Sequence, residues 1–337
     1  MKEFQMKTIH VLLLCGGGSA EHDVSLRSAN FLEQQLSALP GVSVTRVEMQ
    51  RDRWLSADNQ LCVLGLDRQL RINGSSQTVD FVVPCIHGYP GETGDLQSML
   101  ELAGLPYLGC GPEASTLCFN KISTKLWLSA ISVPNTPYLF LSDASEDSLQ
   151  QASAALAQWG KVFVKAASQG SSVGCYAAST DAELVAAVHD AFGFSEQVLI
   201  EKALKPRELE IAVYQYGDEL VATRPGEICV PQDKFYTFEE KYSQDSHTTT
   251  SLEPAGLTEA QIETMQQLAL KAFRQLKLRH LSRVDFFLTE HGEVLLNEIN
   301  TFPGMTSISM FPKMLEHHGH HFGLFLQQIL QRALPAE

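Results

Sequence analysis

Two short segments near the C-terminus constrain the fold of this chain more than any other feature. Arg283-Val-Asp285-Phe-Phe-Leu and Leu295-Leu-Asn-Glu298-Ile-Asn300 both alternate, and Thr-Glu-His-Gly-Glu lies between them. Period-two alternation is the mark of a strand, so Arg283 and Asp285 share one face of the first and Glu298 and Asn300 one face of the second. A two-residue turn at His291-Gly292 would set Asp285 opposite Glu298 and Arg283 opposite Asn300. Opposed side chains in an antiparallel pair stand about 4.5–5.5 Å apart at Cβ. Two carboxylates that close repel unless a cation lies between them. With an amide oxygen added, they suit Mg²⁺ bound together with nucleotide phosphates. The competing reading is a solvated hairpin with an accidental acidic pair; an arginine in register with the set argues against it.

The hairpin needs a larger body around it. At 337 residues the chain is too long for one ordinary core, and its pattern divides into three units. In residues 1–109, strands at 9–15, 42–49 and 79–86 alternate with helices at 25–37 and 96–103, which describes an open α/β domain with a parallel sheet. A second unit, 110–200, reads as α+β. It holds a helix over 115–129, strands at 138–141, 162–165, 174–177 and 198–201, and helices at 148–158 and 181–191. The third, 201–337, contains a hairpin turning at Gly217-Asp218, a helix over 259–277, the two strands above and a C-terminal helix. Between Pro231 and Gly256 the chain is polar and nearly free of aliphatics. A loop of that length inside a compact enzyme is usually functional.

Charge and cysteine usage exclude several classes. The net charge is -14 and no basic run interrupts it, so a nucleic-acid or anionic-membrane binder is not expected. The longest early apolar run, 9–15, is too short to span a bilayer and ends in three glycines. The seven cysteines are scattered, with no CxxC pair. A cytoplasmic chain with free thiols is the expectation.

Three glycine-bearing loops complete the candidate site. Lys165 ends a strand and runs into Ser-Gln-Gly170-Ser171-Ser172-Val-Gly174, where backbone N–H groups can meet phosphates and the lysine adds charge. It is not a Walker loop, and in isolation it could equally be a flexible hairpin. Gly16-Gly17-Gly18 is followed by Glu21 where a dinucleotide fingerprint wants glycine. That carboxylate suits a substrate ammonium, unless the segment is only a turn into a helix capped by Asp23 or Ser25. His87-Gly88 with Gly91-Glu92 follows a buried strand at the sheet edge where ligands bind. The cluster His317-His318-Gly319-His320-His321 spans a helix-breaking glycine and is not read as a metal site.

Taken in order, these motifs resemble the D-alanine–D-alanine ligase family from about residue 9 to 330. The resemblance is carried by Gly17-Gly-Ser-Ala-Glu-His-Asp-Val-Ser25, His87-Gly with Gly91-Glu92, and Phe119-Asn-Lys121-Ile-Ser-Thr-Lys125. It continues through Val164-Lys165 with Gly170-Ser-Ser-Val-Gly174, Leu199-Ile-Glu201-Lys202 and Glu239-Glu-Lys241-Tyr242. Arg283-Val-Asp285 and Asn297-Glu-Ile-Asn300-Thr-Phe-Pro-Gly304-Met-Thr-Ser307 complete it. Three positions depart from the family's pattern: Thr93 for a common Asp, Ala166-Ala167 where Pro is frequent, and Phe238 for a frequent Tyr.

The resemblance implies a three-domain ATP-grasp architecture and a cytoplasmic homodimer that makes D-alanyl-D-alanine for peptidoglycan precursors, through an acyl-phosphate. It implies that Lys121, Lys165 and Ser172 bind ATP phosphates, that the backbone from Glu201 through Lys202 to Leu204 reads adenine, and that Glu208 holds the ribose. Two Mg²⁺ (or Mn²⁺) would sit on Asp285, Glu298 and Asn300. Glu21 would take the first D-alanine's ammonium and form a network with Ser171 and Tyr242, with His87 beside the substrate. Arg283 and the Gly304 N–H would form the oxyanion site, Lys241, Ser307 and Ser309 would meet the second D-alanine, and 231–256 would be the lid. The alternatives are a ligase making D-alanyl-D-lactate, which the Lys241-Tyr242 pair disfavours, and a non-catalytic nucleotide-binding regulator, which the intact charged set disfavours.

Overall fold

Burial of β1 (Ile9–Gly16) sets the first layer, because every residue after its first is inaccessible to solvent. A strand covered on both faces must lie inside a sheet with helices packed on it. It pairs in parallel with β2 (Val42–Met49) on one side. On the other it pairs in parallel with β7 (Phe81–Pro84). The computed structural model describes residues 8–170, 173–229 and 249–333. Beyond β2 the sheet continues as an antiparallel meander: β3 (Trp54–Ser56), β4 (Leu61–Leu64), β5 (Gln69–Ile72) and β6 (Ser75–Thr78), in the order β6-β5-β4-β3-β2-β1-β7. The open sheet therefore has the expected parallel heart and an unforeseen antiparallel wing. The wing is hard to read because its strands are short and β6 is exposed throughout. Helices α1 (His22–Ser37) and α2 (Asp95–Leu102) accompany this sheet.

The next segment was expected to contain one helix over 115–129; it forms two, α3 (Pro112–Phe119) and α4 (Lys121–Ala130). Asn120 breaks the run with an extended backbone and caps the second helix by accepting from the Ser123 N–H. The break points Lys121 N–H at the Ala167 carbonyl, 2.9 Å away. A four-stranded, wholly antiparallel sheet follows, built from β8 (Tyr138–Leu141), β9 (Val162–Ala166), β10 (Cys175–Ala178) and β11 (Val198–Lys202) in the order β10-β9-β11-β8. Helices α5 (Glu146–Trp159) and α6 (Asp181–Phe192) close its core.

The third sheet runs β15-β14-β12-β16-β17, with β13 also on β12. Its members are β12 (Arg207–Tyr216), β13 (Glu219–Ala222), β14 (Gly226–Cys229), β15 (Thr249–Ser251), β16 (Leu281–Leu288) and β17 (Val294–Asn300). The hairpin turning at Gly217-Asp218 is present, with Tyr216 opposite Glu219. The stretch read as a loop to Gly256 is corrected at its end: Thr249–Ser251 pairs with β14, Glu227 opposite Ser251. Helices α7 (Glu259–Gln275), α8 (Met310–His317) and α9 (Phe322–Ala333) complete the described residues.

First and third sheets share one core. Val11, Leu13 and Phe81 lie in the same buried cluster as Tyr214, Phe311 and Phe325, and Phe31 of α1 meets Phe322 of α9 at 5.3 Å between ring centroids. The histidine cluster belongs to this packing: His320 stacks on Tyr216 at 3.9 Å and bonds the Tyr214 hydroxyl at 2.8 Å. All seven cysteines are free thiols, and Cys15 and Cys85 are fully buried.

Candidate active site

The β16–β17 hairpin delivers the expected register where it matters, by an unexpected route. Arg283 lies opposite Asn300, and Asp285 opposite Glu298. The turn is not the two-residue His291-Gly292 turn, however. Thr289 N–H donates to the Glu293 carbonyl at 3.0 Å, so three residues form the loop, with Gly292 at φ 81°. That shift of one is undone between Asp285 and Phe286, where Phe286 pairs with Leu296 and Asn297 is left as the extra residue of a bulge. Without the bulge Glu298 would face the other side of the sheet.

β12 extends this row. Glu210 lies opposite Asp285 and Ala212 opposite Arg283, so Glu210, Asp285 and Glu298 stand in line across three strands. The Arg283 guanidinium makes two hydrogen bonds to Asp285, at 2.8 and 2.7 Å, and its Nε lies 3.2 Å from Glu210 Oε1. Burial would lower the Arg283 pKa, but the Asp285 and Glu210 charges outweigh it and leave the group well above its ordinary value. The Asn300 amide donates to Asp285 at 3.0 Å. As a donor set, Asp285 and Glu298 with the Asn300 side-chain oxygen fit a hard divalent cation that keeps further positions for water or phosphate. Among the described residues no group of three or more His, Cys, Asp or Glu side chains is arranged to hold a metal, so such an ion would rely on the amide and on its anionic substrate.

The central sheet supplies the cations. Lys165 on β9 and Lys125 on α4 each approach the Glu201 carboxylate at 2.5 Å, with Lys125 and Glu201 almost sealed from solvent (2% and 3% exposed). Burial would raise the Glu201 pKa; the two ammoniums overcome that and hold it at about 2. Lys165 is itself raised, Glu201 outweighing burial and Glu298 contributing from the other sheet. The Lys121 ammonium donates to the Gln169 carbonyl at the mouth of the Gly170 loop.

Glu21 stands in the turn between β1 and α1. Gly88, at φ 69°, and Gly170 approach its carboxylate so closely that a Cβ on either would stand 2.9 or 2.7 Å from Oε2. A side chain at either position would push the Glu21 carboxylate aside, and Gly88 also needs its left-handed backbone. The carboxylate borders a cleft of about 420 Å³ whose lining includes Ser19, Tyr89, Phe119 and Asn120. Glu21 itself is the N-cap residue of α1, and Ser25 does not cap. The Ser25 hydroxyl instead accepts from Gly16 N–H at 2.7 Å and donates to the Cys85 carbonyl, locking the glycine turn to the next strand.

His87 is buried and its pKa is lowered, chiefly by burial. Its Nδ1 donates to the Phe302 carbonyl at 3.2 Å, which leaves Nε2 to accept from Ser28 Oγ at 2.9 Å. Ser28 in turn accepts from Met305 N–H at 3.2 Å. Glu92 accepts from Gly88 N–H at 2.8 Å and from Phe302 N–H at 3.3 Å. Burial, and then the Glu21 charge, push its carboxyl up to about 8. Together these bonds clamp the 302–305 loop, and hence Gly304, to the first sheet.

The remaining candidates lie on other segments of the chain. Ser309 precedes α8, and its hydroxyl accepts from the Thr306 N–H at 3.1 Å and lies 2.7 Å from the Thr306 hydroxyl, while Ser307 is exposed. Along 201–204, Lys202 N–H goes to the Pro137 carbonyl and Ala203 N–H to that of Lys161. Glu208 stands two residues before Glu210 on β12, on the same face. Ser171, Ser172, Lys241, Tyr242, Phe238 and residues 231–248 lie outside the described residues. Sequence reasoning assigned no role to Glu210, Lys125, Ser28 or Glu92. The pattern Arg-Glu-Leu-Glu-Ile held a signal for Glu210, since two glutamates at period two mark one strand face.

Comparison with known proteins bears on the whole chain. Residues 10–110 match the family model described as D-ala D-ala ligase N-terminus, and residues 127–331 the one described as D-ala D-ala ligase C-terminus. A curated relative from Aeromonas hydrophila, named D-alanine--D-alanine ligase, is 74% identical over 329 residues, which are 98% of this chain and all of that protein. The crystal structure of D-alanyl-alanine synthetase A from Vibrio cholerae superimposes with a TM-score of 0.93 at 55% identity, covering 97% of this chain and 99% of that one. The VanG D-Ala:D-Ser ligase of Enterococcus faecalis has the same fold, with a TM-score of 0.86 at 27% identity over 97% of this chain and all of the other.

Proposed function

The chain belongs to the D-alanine–D-alanine ligase family, whose ATP-dependent joining of two D-alanines serves peptidoglycan synthesis, and from that premise we propose how its residues divide the reaction. A carboxylate is a poor acyl donor. One carboxylate oxygen of the first D-alanine therefore attacks the γ-phosphorus of ATP, the bond to ADP breaks, and an acyl-phosphate forms. The amine of the second D-alanine, after losing a proton, attacks the acyl carbon and phosphate leaves. The carrying observation is the row of Asp285 and Glu298 with Arg283 and Asn300 across the β16–β17 pair.

Glu21 binds the first ammonium, with His87 fixing the loops around it, and Ser171 and Tyr242 extend that network. Lys121, Lys165 and Ser172 take the phosphates. Backbone at Glu201, Lys202 and Leu204 reads the adenine, and Glu208 holds the ribose. Asp285, Glu298 and Asn300 would hold two Mg²⁺ or Mn²⁺, which supply neutralisation of the charge that phosphoryl transfer spreads over oxygen. Arg283 and the Gly304 N–H stabilise the tetrahedral oxyanion. Ser307, Ser309 and Lys241 meet the second D-alanine's carboxylate, and water must be kept from the acyl group while they do.

Three units with boundaries near 110 and 201 follow the three sheets. A homodimer in the cytoplasm completes the reading, and sedimentation at working concentrations tests the dimer. No helix among the described residues is long and apolar enough to cross a membrane. The decisive experiment is ATP turnover with a panel of D- and L-amino acids and D-lactate. We expect one ADP and one phosphate per D-alanyl-D-alanine, with L-alanine poor because it misplaces its methyl or ammonium relative to Glu21. Equal turnover of D- and L-alanine would remove Glu21 from that role. Glu298→Gln should nearly abolish turnover, and wild-type turnover at limiting Mg²⁺ would remove the hairpin from the metal site.

A further inference from the structure

Arg283 faces a conflict that its own strand does not resolve. Two of its hydrogen bonds go to Asp285, at 2.8 and 2.7 Å. Asp285 is also a member of the proposed metal set, and a divalent cation draws the same oxygens. A guanidinium that loses its counter-ion in a buried site is strongly disfavoured unless another carboxylate stands by. One does. Glu210 Oε1 lies 3.2 Å from Arg283 Nε, and the Glu210 side chain is 6% exposed. Its position is selective. β16 lies between β12 and β17, so Glu210 flanks Asp285 on the side away from Glu298. An ion shared by Asp285 and Glu298 belongs to the β17 side, while Glu210 stays beside the arginine.

We infer that Glu210 is the positioning residue for Arg283: it retains the guanidinium at the oxyanion site when Asp285 turns to metal, so that both groups work in one turnover. The inference rests on the proposed metal site. It makes a distinctive demand. Without Glu210, Arg283 leans harder on Asp285, to which it already makes two hydrogen bonds, and competes with the metal for it.

The test uses the full chain, with ADP and Mn²⁺ as probes. In Glu210→Gln we expect kcat to fall roughly 10- to 100-fold while KM for ATP moves less than about threefold, the split expected when an interaction made in the transition state is lost. Mn²⁺ affinity of the ADP complex, read by electron paramagnetic resonance, should weaken roughly three- to tenfold, and in an Arg283→Ala background the same substitution should change it less than about twofold. Equal loss in both backgrounds would overturn the inference, because Glu210 would then act on the metal directly through its charge. Wild-type kcat and Mn²⁺ affinity in Glu210→Gln would overturn it as well. If Glu210→Gln does not fold, Glu210→Asp carries the test: kcat should fall by an intermediate factor with KM for ATP unchanged, and wild-type kcat would count against the role. Glu298→Gln run in parallel separates the premise from the inference. Retained Mn²⁺ affinity there brings down the metal site and this proposal with it. Loss there, with Glu210→Gln unaffected, brings down only the role of Glu210.

Discussion

Lys125 makes the case for reading side chains in pairs. It is buried against Glu201, whose other oxygen holds Lys165. Removing one partner of a buried ion pair leaves an uncompensated charge at a cost of about 3–5 kcal/mol. Lys165 remains to Glu201, so Lys125→Met should lie near the lower end, about 3 kcal/mol, in denaturant unfolding. It should also raise KM for ATP, because Glu201 then competes harder for the lysine proposed to grip phosphate. Unchanged stability and KM would mean that Lys125 is incidental. Glu92 provides a pH test. Its carboxyl sits at about 8 in the fold against 4.5 ordinarily. A raised folded pKa favours folding fully below about 4.5, and that contribution is lost as pH rises through about 8. Glu92→Gln should flatten this loss, improving stability at pH 8 relative to pH 5 by on the order of 3 kcal/mol. Wild-type and variant curves that stay parallel over that range would show that other groups set the slope. At this scale Asp285, Glu298 and Arg283 were legible because two alternating strands carried them. Glu210 and Lys125 acquire meaning only from neighbours that lie 73 and 76 positions away (Arg283 and Glu201), and no local pattern announces such a partner.

Element boundaries decide what those residues can reach. Asn120 ends α3, caps α4 and bonds Ser168 through its amide at 3.1 Å. Loss of an N-cap costs about 1 kcal/mol. Asn120→Ala should therefore destabilise the chain by about that amount and loosen Lys121, raising KM for ATP several-fold with little change in kcat. A fall in kcat at constant KM would place Asn120 in the chemistry rather than in the scaffold. The helix pattern itself runs through 115–129 without a gap; the break is made by the extended Asn120, its cap on Ser123 N–H and the bond from Lys121 N–H to the Ala167 carbonyl. The hairpin shows the opposite case. Its functional pairing was read correctly although its turn was one residue longer, because the bulge at Asn297 restored the register. A trace of the bulge was present: Leu296 and Ile299 are buried three apart, where strict alternation would space them by two.

The molecule as a whole is held together by the core shared between its first and last thirds. Phe322 is 2% exposed and packs on Phe31 and Phe325. Phe322→Ala should cost about 3–5 kcal/mol. Because the cluster is shared, hydrogen exchange should accelerate on β1 and β12 together, and acceleration confined to α9 would show that the two sheets unfold independently. By itself the sequence determined the kinds of elements, the family, and the chemistry available, since periodicity, turn residues and an ordered set of motifs are local properties of a chain. Beyond the Asp285–Glu298 pairing of the hairpin, tertiary structure alone decided which charges meet. The row from Glu210 through Asp285 to Glu298, the two lysines on Glu201, and the clamp from His87 through Ser28 to Met305 each join segments far apart in sequence. Their spacing is set by how strands pair and sheets pack, and their ionisation by burial, which no residue possesses until the chain has folded around it.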